Sequence, residues 1–307
     1  MYTEKITVAA DPAYPLDGLL TLPDGSAGPF PAVVMVHGSG PSSKDEKVLK
    51  LTPFKDLAEG LAKRGIASLR YDKRTFVYGR KMAKQKDITV REETIDDAAA
   101  ALDLLRSDRR IDPERIYILG HSMGAMLAPR IDAEWGGAKG LIMMAGTPYR
   151  LEDIVLRQLQ QAKYGGSLLG KISGTQYKKY EKLFDGLYQL SDEEAKTKKF
   201  AGSMSLYYFK EMGRKTASDY LLENEKPALI LQGGKDFQVI EETDLKAFRE
   251  QLAGRPNTEF KVYPTLNHCF VESRGGDITK ARQEYGFEQH IGDEVFDDIA
   301  AFLRKNG

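Results

Sequence analysis

Apolar runs of strand length alternate with stretches of helical period through the first half of the chain, the pattern of a sheet built by crossover connections. EKITVAA and LDGLLTLP flank the turn signal DPAYP and are expected to pair antiparallel, and PAVVMVHG begins a fully buried pattern. There follow a helix over PFKDLAEGLAKRG ending at Gly65, a strand IASLRYD, a helix over REETIDDAAAALDLLRS and the strand RIYILG. MGAMLAPRIDAEW has helical period, with Pro129 expected to bend or end the helix, and KGLIMMAG reads as another buried strand.

The pattern changes near Thr147. From there to about Glu225 no convincing strand is found, only helix-period stretches broken by glycines and dense in aromatics such as Tyr164, Phe184, Phe200, Tyr208 and Phe209. This predicts a helical cap over 149–224 inserted into a core made of 1–148 and 225–307. Most of the aromatics are expected to pack the cap helices on each other. The sheet pattern resumes in PALILQGGKD and TEFKVYP, and the chain closes on the amphipathic stretch GDEVFDDIAAFLRKNG.

With 307 residues, 41% hydrophobic and 29% charged, the chain can bury a sizeable core. Lys and Arg number 45 and Asp and Glu number 45, so no net field attracts nucleic acid or an anionic membrane. MYTEKITVAADPAYP carries charge and proline where a secretory signal needs an apolar core, and no run approaches the roughly 18 apolar residues of a membrane span. The single cysteine, Cys269, fits a reducing compartment, and the expected location is cytoplasmic.

Gly120, His121, Ser122, Met123 and Gly124 meet the pattern G-x-S-x-G between an apolar strand and a helix. The competing role for Ser122 is a helix cap. A serine hydroxyl needs a base to take its proton and an acid to orient that base. In the order Ser, acid, His, two histidines follow, His268 in the loop PTLNHCF and His290 in a polar setting; His268 is favoured. Asp236 leaves the strand ALILQGG through Gly233 and Gly234, and is preferred as the acid over Asp244, Glu241 and Glu242, which fall in the next helix. Backbone donors for the oxyanion are expected from Met123 and from Ser39, with Gly40 competing for the second place. His37 reads as a loop-stabilising hydrogen bonder and Cys269 as packing.

Together VMVHGSGPSSKDE, LRYDKRTFVYG, GHSMGAMLAPR, MMAGTPYRLEDI, LQGGKDFQV and LNHCF resemble the α/β-hydrolase superfamily, and within it bacterial carboxylesterases with a helical cap. The resemblance covers nearly the whole chain. It implies an α/β fold, a mostly parallel eight-stranded sheet flanked by helices with an inserted helical cap. It also implies a Ser122, Asp236, His268 triad and a two-step acyl transfer on a small-molecule ester, with no cofactor or metal. Small to medium acyl groups are the expected substrates, with hydroxycinnamoyl esters, thioesters and amino-acid amides as alternatives on the same triad, and a non-catalytic binding protein as the rival class. A homodimer is compatible with the sequence, which carries no further sign of a partner. Gly165, Gly170 and Lys171 fit G-x-x-x-x-G-K, but Ile172 stands where a phosphate-binding loop needs a hydroxyl, so nucleotide binding has no support there.

Overall fold

The computed structural model describes residues 1–25, 28–85, 87–164, 168–202 and 204–307. Among them the main sheet has eight strands: β1 Tyr2–Val8, β2 Leu16–Leu22, β3 Phe30–Val36, β4 Ala67–Tyr71, β5 Ile111–His121, β6 Gly140–Met144, β9 Ala228–Gly233 and β10 Thr258–Tyr263. Two short strands, β7 Lys199–Ala201 and β8 Met204–Ser205, form a separate ribbon. The spatial order is β1-β2-β4-β3-β5-β6-β9-β10. As the pattern predicts, β1 and β2 pair antiparallel, and β3 to β10 of this sheet run parallel.

The central strands are apolar because helices cover both faces. Alternation along β3 sends Ala32, Val34 and Val36 to one face and Val33 and Met35 to the other. On the first face lie α3 Asp96–Ser107 and α4 Met123–Trp135; on the second lie α1 Pro53–Ala62 and α12 Asp293–Asn306. Val295, Phe296, Ile299 and Leu303 recur every three or four residues, so α12 presents one apolar stripe to the sheet and to α1. Arg64, just past α1, bonds Asp293 and Asp297 and pins the two helices together.

Three expectations are corrected. Residues Arg74–Met82 form α2, where the pattern assigned no helix: Phe76 and Val77 are exposed and Tyr78 kinks the backbone, so the helix has no apolar period to detect. Pro129 does not end α4, which continues to Trp135; Leu127, Ala128 and Ile131 are fully buried on the sheet, and that burial offsets the missing hydrogen bond. The β7–β8 ribbon lies in a segment read as free of strands, and runs of two or three residues are too short to leave a period.

Between β6 and β9 come α5 Leu151–Tyr164, α6 Leu168–Phe184, α7 Asp192–Thr197, α8 Leu206–Met212 and α9 Ala217–Leu222. Their aromatics do pack on each other: Phe200 lies 4.2 Å from Tyr180, 4.8 Å from Phe209 and 5.5 Å from Phe184, centroid to centroid. Helices α10 Lys246–Gln251 and α11 Ala281–Tyr285 complete the chain. Among the described residues no helix is long and apolar enough to cross a membrane.

Register decides where chemistry can occur. Val36 pairs with Gly120, His121 with Met144, and Gly233 with Tyr263, so these parallel strands end at one edge of the sheet. Their outgoing loops carry Ser39, Ser122, Asp236 and His268 to that edge, the usual place for a ligand site in such sheets.

Candidate active site

Ser122 sits at the turn from β5 into α4 with φ 52° and ψ −117°, a backbone that side-chain-bearing residues rarely adopt. The neighbouring glycines make that turn sterically possible. A Cβ on Gly120 would lie 2.2 Å from the Gly124 carbonyl oxygen, and a Cβ on Gly124 would lie 2.1 Å from the Val36 carbonyl oxygen. The Ser122 N–H donates to the Met144 carbonyl at 2.8 Å, and its own carbonyl accepts from Ala125 and Met126. Its side chain makes no cap hydrogen bond, so the hydroxyl is not used as the cap that the sequence left open.

Asp236 and His268 meet at the same edge. His268 Nδ1 lies 2.7 Å from Asp236 Oδ2, and the two residues are only 5% and 7% exposed. Asp236 Oδ1 accepts the backbone N–H groups of Gln238 at 2.7 Å and Val239 at 3.0 Å. These two N–H donors hold the carboxylate in one orientation. With Nδ1–H committed to Asp236, Nε2 of His268 is left for proton transfer. The close exit predicted at Gly233 is real, since a Cβ there would lie 2.5 Å from both the Leu266 and Asn267 carbonyl oxygens. Asn267, fully buried, accepts from the Cys269 N–H at 2.9 Å and donates to Glu284 at 2.9 Å, which fixes the loop bearing His268.

His121 ties this pair to Ser122. Its Nε2 donates to the His268 carbonyl at 2.8 Å, and the two imidazole rings lie 4.8 Å apart. Its Nδ1 stands 3.0 Å from Glu46 Oε2, with the N–H off the line to that oxygen, so the contact is an ion pair more than a directed hydrogen bond. Burial works against a charge on His121, but Glu46 and the His268 carbonyl outweigh it and raise the pKa. Burial likewise pushes Glu46 up, yet His121, His37 and the Gly38 N–H outweigh it and lower its pKa. His37, packed on Phe54 and bonded to the Ser43 carbonyl at 3.1 Å, is driven down to about 4 by burial. It is the loop-stabilising group its position suggested.

The loop after β3 lies against Ser122: a Cβ built on Gly38 would be 3.2 Å from Ser122 Cβ. Its Gly38 N–H donates to Glu46 Oε1 at 2.7 Å, and its Gly38 carbonyl accepts from Lys73 Nζ at 2.8 Å. Lys73, 2% exposed, also pairs with Glu93 at 2.6 Å, and Glu93 accepts the Tyr208 hydroxyl at 2.7 Å. Ser39, Gly40, Ser122 and Met123 all line a cavity of about 400 Å³, roofed by Leu151, Ile154, Val155, Phe200, Met204 and Phe209. A smaller cavity of about 110 Å³ adjoins it past Thr75 and Glu93, walled by Met82 and Ile88.

The rival residues stand elsewhere or are occupied. The His290 side chain is 67% exposed and contacts Asp56 at 3.0 Å. Asp244 is engaged by Arg157 at 2.7 Å and Thr147 at 2.6 Å. Cys269 is buried, and burial pushes its thiol well above the ordinary range, which makes it inert. Gly165 of the glycine and lysine motif lies outside the described residues. Among the described residues no cluster of His, Cys, Asp or Glu could hold a metal ion. Sequence reasoning missed Glu46, Lys73, Glu93 and Tyr208; the one available sign was the charged run RYDKR, placed directly after an apolar strand and buried at Arg70, Asp72, Lys73 and Arg74.

Esterase EstD from Thermotoga maritima is 37% identical over 290 residues, which are 94% of this chain and 66% of EstD, so the chain spans just under two thirds of that relative's length. Est1E from Butyrivibrio proteoclasticus superposes with a TM-score of 0.61 over 98% of both chains at 18% identity. The Pyrococcus furiosus esterase Pf2001 gives 0.58 at 17% identity, over 99% of this chain and 91% of its own. A family model described as serine aminopeptidase, S33, matches residues 28–273, and the chain therefore belongs to that family of α/β-hydrolases.

Proposed function

We propose that this protein is a serine hydrolase of carboxylic esters. The observation that carries the reading is the buried 2.7 Å contact between His268 and Asp236, tied through the His268 carbonyl to His121, which precedes a serine at positive φ on a strand-to-helix turn. Ser122 Oγ attacks the ester carbonyl while His268 Nε2 takes its proton, and Asp236 steadies the imidazolium. The N–H groups of Ser39 and Met123 stabilise the tetrahedral oxyanion. His268 then passes the proton to the departing alcohol, and water repeats the sequence on the acyl-enzyme. Residues 149–224 act as the cap that roofs the acyl chamber.

The charge in the chamber favours esters over amino-acid amides. Glu93 is the one charged side chain among the described residues lining the cavity, and Lys73 and Tyr208 already occupy it. A substrate ammonium would find no free carboxylate there, whereas an uncharged acyl group meets mostly apolar walls. Ser122→Ala is expected to lower kcat on a small aryl ester by about a million-fold, the scale of triad deletions. A fluorophosphonate should add to the wild type at Ser122 and be seen by intact mass. Retention of ester turnover within tenfold in the variant, or amino-acid amides outrunning esters in the wild type, would overturn the reading.

A further inference from the structure

The peptide between Gly38 and Ser39 is one rigid unit. In a trans peptide the carbonyl oxygen and the N–H point in opposite directions, so whatever holds the Gly38 oxygen also aims the Ser39 N–H. Lys73 Nζ holds that oxygen at 2.8 Å from a fully enclosed position at the end of β4. The previous peptide is held as well, through the Gly38 N–H on Glu46 Oε1 at 2.7 Å. Two buried charges, each with a counterion of its own, thus grip one glycine in opposite senses: Lys73 is backed by Glu93 at 2.6 Å and Glu46 by His121 at 3.0 Å. Among the described residues the Ser39 N–H has no acceptor, and Ser39 lines the cavity beside Ser122.

We propose that Lys73 and Glu46 are positioning residues for the oxyanion site, Lys73 by aiming and polarising the Gly38–Ser39 peptide and Glu46 by clamping the peptide before it. A cation on a carbonyl draws electron density from the amide, so its N–H becomes a stronger donor, as in any hydrogen-bonded chain. Pairing with Glu93 keeps the ammonium from being an unpaired buried charge. Neither residue touches the substrate. Their effect belongs to the transition state, where the oxyanion forms, and falls on kcat more than on KM.

The inference rests on the ester-hydrolase reading, and the experiment separates the two. An oxygen ester and its thiono counterpart are compared, because the sulfur that takes up charge in the second is a weak hydrogen-bond acceptor. Lys73→Met alone leaves Glu93 buried and unpaired, so the double variant Lys73→Met/Glu93→Gln is measured with it, beside Glu46→Ala and the isosteric Glu46→Gln. For the double variant and for Glu46→Ala, kcat on the oxygen ester should fall about 10- to 100-fold with KM nearly kept, the order of losing part of one oxyanion donor. The oxygen-to-thiono ratio of kcat should fall at least fivefold, and Glu46→Gln should recover most of it. Because both substrates are measured on the same sample, the ratio is independent of how much protein is folded. A wild-type ratio in the double variant and in Glu46→Ala overturns the proposal while leaving the esterase intact. A wild type that turns over no ester overturns both.

Discussion

Gly124→Ala adds one methyl group at the point where α4 meets β3. That Cβ would lie 2.1 Å from the Val36 carbonyl oxygen and 2.7 Å from that of His37, against a usual carbon-to-oxygen separation of about 3.3 Å. The start of α4 must therefore withdraw by about 1 Å. It cannot do so freely, because Ala125 and Met126 bond back to the Ser122 carbonyl and Val36 is in register with Gly120. Overpacking of this kind costs about 1–3 kcal/mol. Ser122 and the Met123 N–H ride on the same turn, and a displacement near 1 Å from the reacting geometry costs about a hundredfold. The assay pairs thermal unfolding with kcat/KM on a chromogenic ester. Tm should fall by a few degrees and kcat/KM by about two orders of magnitude. Gly254→Ala is the control: no atom lies within 4 Å of its Cβ, so both quantities should stay at wild type, within about 0.5 kcal/mol. A Gly124→Ala variant with unchanged Tm and kcat/KM within threefold would refute the steric account of the turn.

Two further outcomes follow from the buried charges. His37 is neutral when folded, its pKa lowered from 6.5 to about 4, so the stability it confers is complete above pH 6.5 and is lost as pH falls toward 4, by roughly 3 kcal/mol in all. His121 runs the other way: its raised pKa gives stability that is complete below pH 6.5 and lost as pH rises through the folded value. Urea midpoints from pH 4.5 to 8 should show a steep acid arm in the wild type that is blunted in His37→Gln; parallel curves would contradict the assignment. Lys73→Met should cost about 3–5 kcal/mol by stranding Glu93, and adding Glu93→Gln should restore most of that, as read by urea denaturation. Equal losses for the single and double variants would show that the pair is not coupled.

Much of the fold was legible because its central strands are apolar throughout and its covering helices repeat every three or four residues. The candidate nucleophile Ser122 was legible for a local reason: G-x-S-x-G between strand and helix is a short-range pattern, and a Cβ on Gly120 or Gly124 would come within 2.2 Å of a backbone carbonyl oxygen. Asp236 and His268 were singled out by their order and by strand ends, and the two side chains meet at 2.7 Å. The support behind them was not readable. Glu46 reaches Gly38 across eight residues of loop, and Lys73 meets Glu93 twenty residues on, contacts that no periodicity encodes. Helix α2 escaped because it turns exposed Phe76 and Val77 outward.

The strands that lead to Ser122, Asp236 and His268 are locked by neighbours in the sheet, with Ala228 facing Leu141 on one side and Thr258 on the other. The aromatic segment departs after β6 and rejoins before β9, so residues can be added to or deleted from it while that lock stays in place. Chamber size is thereby a variable that selection or an engineer can adjust, provided the Tyr208 hydroxyl keeps its hold on Glu93, while the strand ends bearing Ser122 and Asp236 stay constant.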